Sequence, residues 1–337
     1  MGLLQNLSAL LEQHWPLQCA GIEPLKVREN AVYAVRLADG RRVVLRVHRC
    51  GYHSDEALLS ERLWMQALSH HGIAVPRHVL SRTGRSFEKL HIEGLAGERQ
   101  VDVFHWIEGQ QLGTVETGVA LAGASVGEVY RQVGRLSAQL HNQSSSWQAP
   151  RDFRRHAWDA EGLAGEQPFW GRFWELEALS AAQRRLFVQL RQRLYRELEA
   201  LGTQAGEFGL IHADLVPENI LVSGDNLQLI DFDDAGYGWH LFEIATSLYF
   251  IRRDAIYEPA LAALIQGYRE ERPLSDAQLS LLPLFLAARG STYLGWVHTR
   301  SGEPVARELT PALIELAEAA AADYLGTAAI GAAAAGS

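Results

Sequence analysis

Cysteine is nearly absent from this chain of 337 residues, where only Cys19 and Cys50 occur. Neither belongs to a C-x-x-C pair. Two such thiols do not make a disulfide framework, and two reduced thiols of a cytoplasmic protein are the expectation. Long apolar runs are also missing. No stretch reaches the roughly 18 residues of a membrane span. The opening "MGLLQNLSALLEQHWPL" lacks the basic start and apolar core of a signal peptide. There is no excess of positive charge. A net charge of −9 argues against nucleic acid or an anionic membrane as partner. It does not exclude an anionic ligand, because a metal or one local basic group reverses the sign at a site. Finally, "LKVRENAVYAV" (25–35) contains no glycine, so a nucleotide cradle there would be built from backbone around Glu29 and Asn30.

What is present is ordinary globular composition, 47% apolar and 21% charged. The length exceeds what one core usually serves, so two lobes are expected. The first hundred residues read as strand-rich with one helix. "AVYAVRLADGRRVVLRVHR" (31–49) is two β runs about the turn Asp39-Gly40. A helix follows over 54–71, with Ser54 as cap and Gly72 as stop. Further strands are expected at 78–81, 88–92 and 100–107. From Ser125 the pattern turns helical. "SVGE" and "SAAQ" read as capping boxes opening two long helices, and helical periodicity returns at 240–252, 257–270, 275–298 and 305–325. The expected organisation is an α+β, bilobal arrangement. A small antiparallel-sheet N-lobe with one main helix spans 1–105, a hinge 106–112, and a larger, mostly helical C-lobe 113–325. The low-complexity end, 326–337, reads as a loose tail.

The chemistry concentrates in "LIHADLVPENILVSGDNLQLIDFDDAG" (210–236). Its spacing is His212-x-Asp214-x-x-x-x-Asn219, with Asp231 following at a strand end. Carboxylates are costly in apolar surroundings unless something positive joins them. One reading is a solvated acidic hairpin, with Asp225 and Asn226 at its turn. The other is phosphoryl transfer from ATP, which needs a carboxylate to receive the acceptor's proton and hard oxygens to hold Mg2+. The same spacing occurs in protein-kinase catalytic loops. Such an enzyme also needs a cation on the third strand and an acid on the following helix. Arg46, in "VVLRV", and Glu61, in "SERLWMQAL", supply them.

These residues resemble the aminoglycoside phosphotransferase and choline kinase-like family over about 25–300. The carriers are "LIHADLVPENIL", "LQLIDFDDAGYGWHLFEIA", "VVLRVHR", "SERLWMQAL" and "FHWIEGQQL". "AWDAEGLAGEQPFWGRFWE" is similar to a bacterial branch with stress response kinase A and homoserine kinase-like proteins. The resemblance implies a protein-kinase-like fold and transfer of the ATP γ-phosphate to a hydroxyl, usually on a small molecule. It implies Asp214 as catalytic base, Asn219 and Asp231 as Mg2+ ligands, and Arg46 on the phosphates with Glu61 behind it. Phe104, His105, Trp106 and Ile107 would receive adenine through backbone groups, and His212 would orient the loop.

This chain departs from common patterns in three places: Arg46 where many relatives carry Lys, Val216 where protein Ser/Thr kinases carry Lys, and Asp233 where they carry Gly. For the acceptor, Asp233, Asp234, Tyr237 and Trp239 are candidates for a cationic amine, beside the aromatics from Trp158 to Trp174 and a late helix carrying Arg289, Tyr293, Trp296 and His298. Arg154, Arg155 and Arg289 are instead candidates for a carboxylate, as homoserine would need. The alternatives kept open are a Ser/Thr protein kinase like stress response kinase A and a catalytically silent nucleotide-binding scaffold. The protein is expected to be a monomer or homodimer.

Overall fold

A computed structural model describes residues 2–27, 30–114, 118–119, 125–224 and 226–334. Glu29 and Asp225, expected in a nucleotide loop and at a hairpin turn, lie outside the described residues. The chain divides into two compact units. One comprises Met1–Gln110, Gln148–Arg154 and Gln228–Ile230; the other comprises Gln111–Trp147, Arg155–Leu227 and Asp231–Ser337.

The first unit is built on a five-stranded antiparallel sheet. Its strands are β1 (Cys19–Val27), β2 (Ala31–Leu37), β3 (Arg42–Val47), β4 (Phe87–His91) and β5 (Glu98–His105), in the order β1-β2-β3-β5-β4. The β2–β3 hairpin forms at the Asp39-Gly40 turn, with Gly40 at φ +85°, a conformation that glycine adopts without strain. Leu25 and Lys26, expected in a nucleotide loop, belong to β1, where Lys26 pairs with Val32. The strand expected at 78–81 reduces to one bridge between His78 and Phe104, and β5 ends at His105 rather than at 107.

Two helices accompany the sheet where one was expected. Helix α1 (Leu3–His14) buries Leu7 and Leu11, which join Trp15 in a core with Val35, Leu45, Val47 and Val103. It lacks a side-chain cap, so only the four-residue spacing of its leucines signals it. Helix α2 (Asp55–His70) starts as expected, with the Ser54 hydroxyl accepting from Ala57 N at 3.2 Å. Its buried stripe of Leu58, Met65 and Leu68 includes one acid, Glu61.

The second unit is mostly helical. Helix α3 (Val126–Ser146) packs against a later helix through glycines. A Cβ at Gly134 would lie 2.0 Å from Leu264 O, and one at Gly267 1.9 Å from Arg131 O. Helix α4 (Ala160–Ala164) is capped by Asp159, and α5 (Ala181–Leu201) opens on the expected Ser180–Gln183 capping box. Strand Gly236–Trp239 lies between Phe208–Ile211, antiparallel, and Ala157–Trp158, parallel. Helices α6 (His240–Tyr249) and α7 (Tyr257–Glu271) follow.

The single helix expected at 275–298 is two, α8 (Asp276–Leu279) and α9 (Leu282–Thr299). Pro283 fits the break: lacking an N–H, it sits without cost in the first turn of α9, whereas inside a continuous helix it would remove a hydrogen bond and crowd the preceding turn. Helix α9 is buried from Leu284 to Val297, Arg289 included. Helix α10 runs Pro304–Ala334, so helix continues into the alanine-rich end where a loose tail was expected; alanine is the strongest helix former. No described helix is long and apolar enough to cross a membrane.

Candidate active site

Strand Phe208–Ile211 delivers the chain into His212, Ala213 and Asp214; a 3-10 turn, Pro217–Asn219, then leads into strand Ile220–Ser223. Ala213 sits at φ +63°, in the left-handed region that costs an L-residue ~1–2 kcal/mol. Glu243, on the buried helix α6, offsets that cost. One carboxylate oxygen accepts from His212 N at 2.8 Å and the other from Ala213 N at 2.7 Å. His212 is buried, its Nδ1 accepting from Asp214 N at 3.3 Å and its ring resting 4.6 Å from that of Phe232.

The Asp214 carboxylate is held through both oxygens. Arg289 Nη2 donates to Oδ1 at 2.7 Å, and Asn219 Nδ2 donates to Oδ2 at 2.7 Å and to the Asp214 carbonyl at 2.9 Å. The Asp214 side chain retains 21% exposure beside a fully buried arginine. A carboxylate oriented by two donors and still open to solvent can accept a proton from an approaching hydroxyl.

Asp231 is the second non-glycine residue with positive φ, +64°. The turn after it is organised by residues 155–170. Arg155 donates to the carbonyls of Phe232, Asp233 and Ala235. His156 Nε2 and Trp158 Nε1 each donate to Asp234 O at 3.0 Å, and Trp170 Nε1 donates to Asp234 Oδ1 at 3.3 Å. Asp233 and Asp234 are both buried. The amide nitrogen of Asn219 is committed to Asp214. Its oxygen and the Asp231 carboxylate are hard-oxygen groups of the kind that Mg2+ or Ca2+ takes as ligands. Among the described residues, no group of three His, Cys, Asp or Glu could hold a metal by itself.

In the first unit Arg46 and Glu61 meet, Nη2 to Oε1 at 2.9 Å. A third member, which no sequence motif marks, joins them. Asp102 lies directly across from Arg46 in the β3–β5 register and accepts from Arg46 Nε at 3.0 Å and Nη2 at 2.6 Å. His48 Nε2 is 3.2 Å and His78 Nε2 3.7 Å from the same carboxylate. Burial pushes the Asp102 carboxyl upward, but Arg46 and His48 outweigh it and hold the group well below the usual carboxylate range. All three charged partners are buried, so the arginine's planar fork is fixed in one orientation.

Other sequence candidates are placed differently. Trp239 is a core residue: it is buried, its indole N–H donates to Gly202 O at 2.9 Å, and it packs on Phe208 and Phe285. Tyr237 is half-buried within its strand. Arg289 and Arg155 are taken up by Asp214 and by the 232–235 carbonyls, which removes them as receivers of a substrate carboxylate. Arg154 donates to the carbonyls of Arg151 and Phe153. Phe104 and His105 belong to β5, and the His105 N–H already donates to Arg77 O at 2.9 Å. Trp106 carries the Arg42 guanidinium 4.2 Å from its ring centroid, and Ile107 is half-buried.

Glu243 gives a pH prediction. Burial raises its carboxyl to about 7, although the two backbone donors pull the other way. A raised carboxyl contributes stability that is complete below its ordinary value and is lost as pH rises through about 7. The span from 4.5 to about 7 corresponds to roughly 3 kcal/mol. Nearby His141 and His240, stacked 4.0 Å apart and both pushed down by burial, act oppositely as pH falls. Denaturant unfolding of the wild type and Glu243→Gln at pH 5 and pH 8 separates the two. The variant is expected to be the weaker at pH 5 by a margin that shrinks at pH 8, and an equal margin at both would refute the assignment.

Comparison with known proteins bears on this arrangement. Amicoumacin kinase of Bacillus subtilis (strain 168) is 26% identical over 280 residues, 80% of this chain and 77% of its own. Homoserine kinase of Rhizobium rhizogenes (strain K84) is 28% identical over 258 residues, 72% of this chain and 71% of its own. A microcompartment-associated aminopropanol kinase superposes with a TM-score of 0.81 at 28% identity, covering 95% of this chain and 97% of that one. Amicoumacin kinase hAmiN, solved with AMP-PNP, Ca2+ and Ami, shares the fold at a TM-score of 0.74 and 23% identity, covering 92% of each chain. The mixed helix-and-sheet architecture is that of the protein-kinase-like phosphotransferases. Residues 21–274, which include Arg46, Glu61, Asp102, Asp214, Asn219, Asp231 and Glu243, match the family's pattern, and the chain belongs to the phosphotransferase enzyme family, APH.

Proposed function

We propose that this enzyme transfers the γ-phosphoryl group of ATP to the hydroxyl of a small amino alcohol or hydroxy amino acid. The observation that carries the reading is the Asp214 carboxylate, held by Arg289 and Asn219 yet still partly exposed. Asp214 would take the acceptor's proton as the hydroxyl oxygen attacks phosphorus. Asn219 and Asp231 would hold Mg2+, which offsets phosphate charge when bound. Arg46, fixed by Glu61 and Asp102, would meet the nucleotide phosphates. Because the His105 N–H is engaged by Arg77 O, adenine would be received by backbone groups of Trp106 and Ile107. In this reading residues 1–105 are the nucleotide lobe, 106–112 the hinge and 113–325 the acceptor lobe.

The acceptor's amine is assigned to Asp234, with Asp233 beside it. Asp234 is a buried acid whose Oδ1 accepts from the Trp170 indole N–H, and a carboxylate attracts a cationic amine by charge. Aminopropanol and homoserine, named in the relatives above, each carry an amine as well as a hydroxyl. A protein acceptor is not favoured, because the named relatives are small-molecule kinases. A silent scaffold is not favoured either, since base and metal-ligand candidates are all present.

The test is an acceptor panel of amino alcohols, homoserine and aminoglycosides, with the phosphorylated product detected directly. Transfer to at least one amine-bearing alcohol is expected. Asp234→Asn should raise that acceptor's KM about 10- to 100-fold, the worth of one hydrogen-bonded charge, and leave the KM for ATP unchanged. An unchanged acceptor KM would remove Asp234 from the reading.

A further inference from the structure

Arg289 is a charge in the middle of a buried apolar helix. It is 0% exposed and sits in an aromatic cage, its Cζ 4.3 Å from the Tyr293 ring centroid, 4.9 Å from Trp170 and 5.6 Å from Phe242. Burying a guanidinium is costly unless its donors and charge are answered. Here the answer comes from the loop that carries Asp214. Nη1 donates to Ala213 O at 3.1 Å, and Nη2 donates to Asp214 Oδ1 at 2.7 Å and to Tyr293 OH at 2.8 Å. Residues 209–222 contain no lysine or arginine, and two positions after Asp214 stands Val216, which is buried.

We propose that Arg289 is the positioning residue of the phosphoryl-transfer step: from α9 it supplies the cation that this loop lacks, fixing the plane of the Asp214 carboxylate and the strained Ala213 carbonyl together. The proposal rests on Asp214 being the base. It has a consequence for specificity. Asp214 and Arg289 form a neutral pair, so the base does not recruit a cationic acceptor by charge, and amine selection falls to other acids. Since a displacement of about 1 Å at a reacting group can cost ~100-fold in rate, the loss on removing the arginine should appear in kcat rather than in nucleotide binding.

Packing and positioning predict opposite orders for two variants. Arg289→Met preserves length and suits the aromatic cage; Arg289→Lys preserves charge and fits it less well. If Arg289 only packs, the methionine variant keeps its activity. If it positions the base, Arg289→Met loses about 100- to 1,000-fold in kcat with the KM for ATP within about twofold, and Arg289→Lys retains more than the methionine variant. Guanidinium ion should restore part of the kcat of Arg289→Ala. Should the methionine variant fail to fold, the lysine variant decides: a kcat loss of about tenfold or more at unchanged KM for ATP supports the proposal, and wild-type kcat overturns it. Asp214→Asn separates the two readings. If it turns over normally, the base assignment is wrong. If it is inactive while Arg289→Met is active, only the role of Arg289 is wrong.

Discussion

Asp214→Asn is expected to lower kcat by about 100- to 10,000-fold, the range for loss of a general base, while ATP still binds. The substitution keeps the shape of the side chain and removes its ability to hold a proton. It also disturbs its surroundings in a defined way. The amide oxygen can still accept from Arg289, but the new amide nitrogen would face the Asn219 nitrogen, donor against donor. Arg289 loses its counter-charge as well. Removing one partner of a fully buried pair costs ~3–5 kcal/mol, and the loss here should be smaller because Asp214 is 21% exposed. Turnover at the wild-type rate, or loss of nucleotide binding as severe as the loss of kcat, would contradict the assignment. Calorimetric titration with a non-hydrolysable ATP analogue beside steady-state kinetics gives both quantities.

The second large effect is expected at Asp102. Arg46 divides its donors between two carboxylates, and all three side chains are buried. Asp102→Ala keeps the Arg46–Glu61 contact but removes the acceptor of the Arg46 Nε–H and one acceptor of Nη2, and strips His48 of a partner. Loss of about 3–5 kcal/mol in unfolding free energy is expected, the figure for breaking a buried ionic network. The KM for ATP should rise in the folded variant, because the guanidinium is no longer held in one plane. Arg46 and Asp102 should also couple. Arg46→Met should cost markedly less in the Asp102→Ala background than in the wild type, since it then strands one carboxylate instead of two. Additive costs would mean that Asp102 acts independently of Arg46.

The sequence carried the motif residues because they are local. His212, Asp214 and Asn219 lie within eight positions of one loop, and their spacing is chemistry written along the chain. The β2–β3 hairpin and the caps of α2 and α5 were legible for the same reason. What supports those residues was not local. Asp102 is 56 positions from Arg46, and only strand register brings them together. Arg289 is 75 positions from Asp214, and Glu243 lies 31 from His212. Each did leave a trace, a charge set in an otherwise apolar run: Asp102 in "VDVFHW", Glu243 in "LFEIATSLY" and Arg289 in "LFLAARGSTYLGW". Such a residue is expensive unless answered from elsewhere. Trp239 erred in the other direction. Its nearness in sequence to Asp231 suggested substrate, but its strand turns it into the core.

This phosphotransferase is expected to move the ATP γ-phosphoryl group to a small-molecule hydroxyl. The most direct test is phosphorus NMR of the enzyme with ATP, a divalent metal and an amino alcohol such as aminopropanol or homoserine. A phosphate-ester resonance growing in step with ADP, absent with Asp214→Asn, is the predicted result. Bound nucleotide with no phosphate ester formed on any hydroxyl compound tested would contradict it.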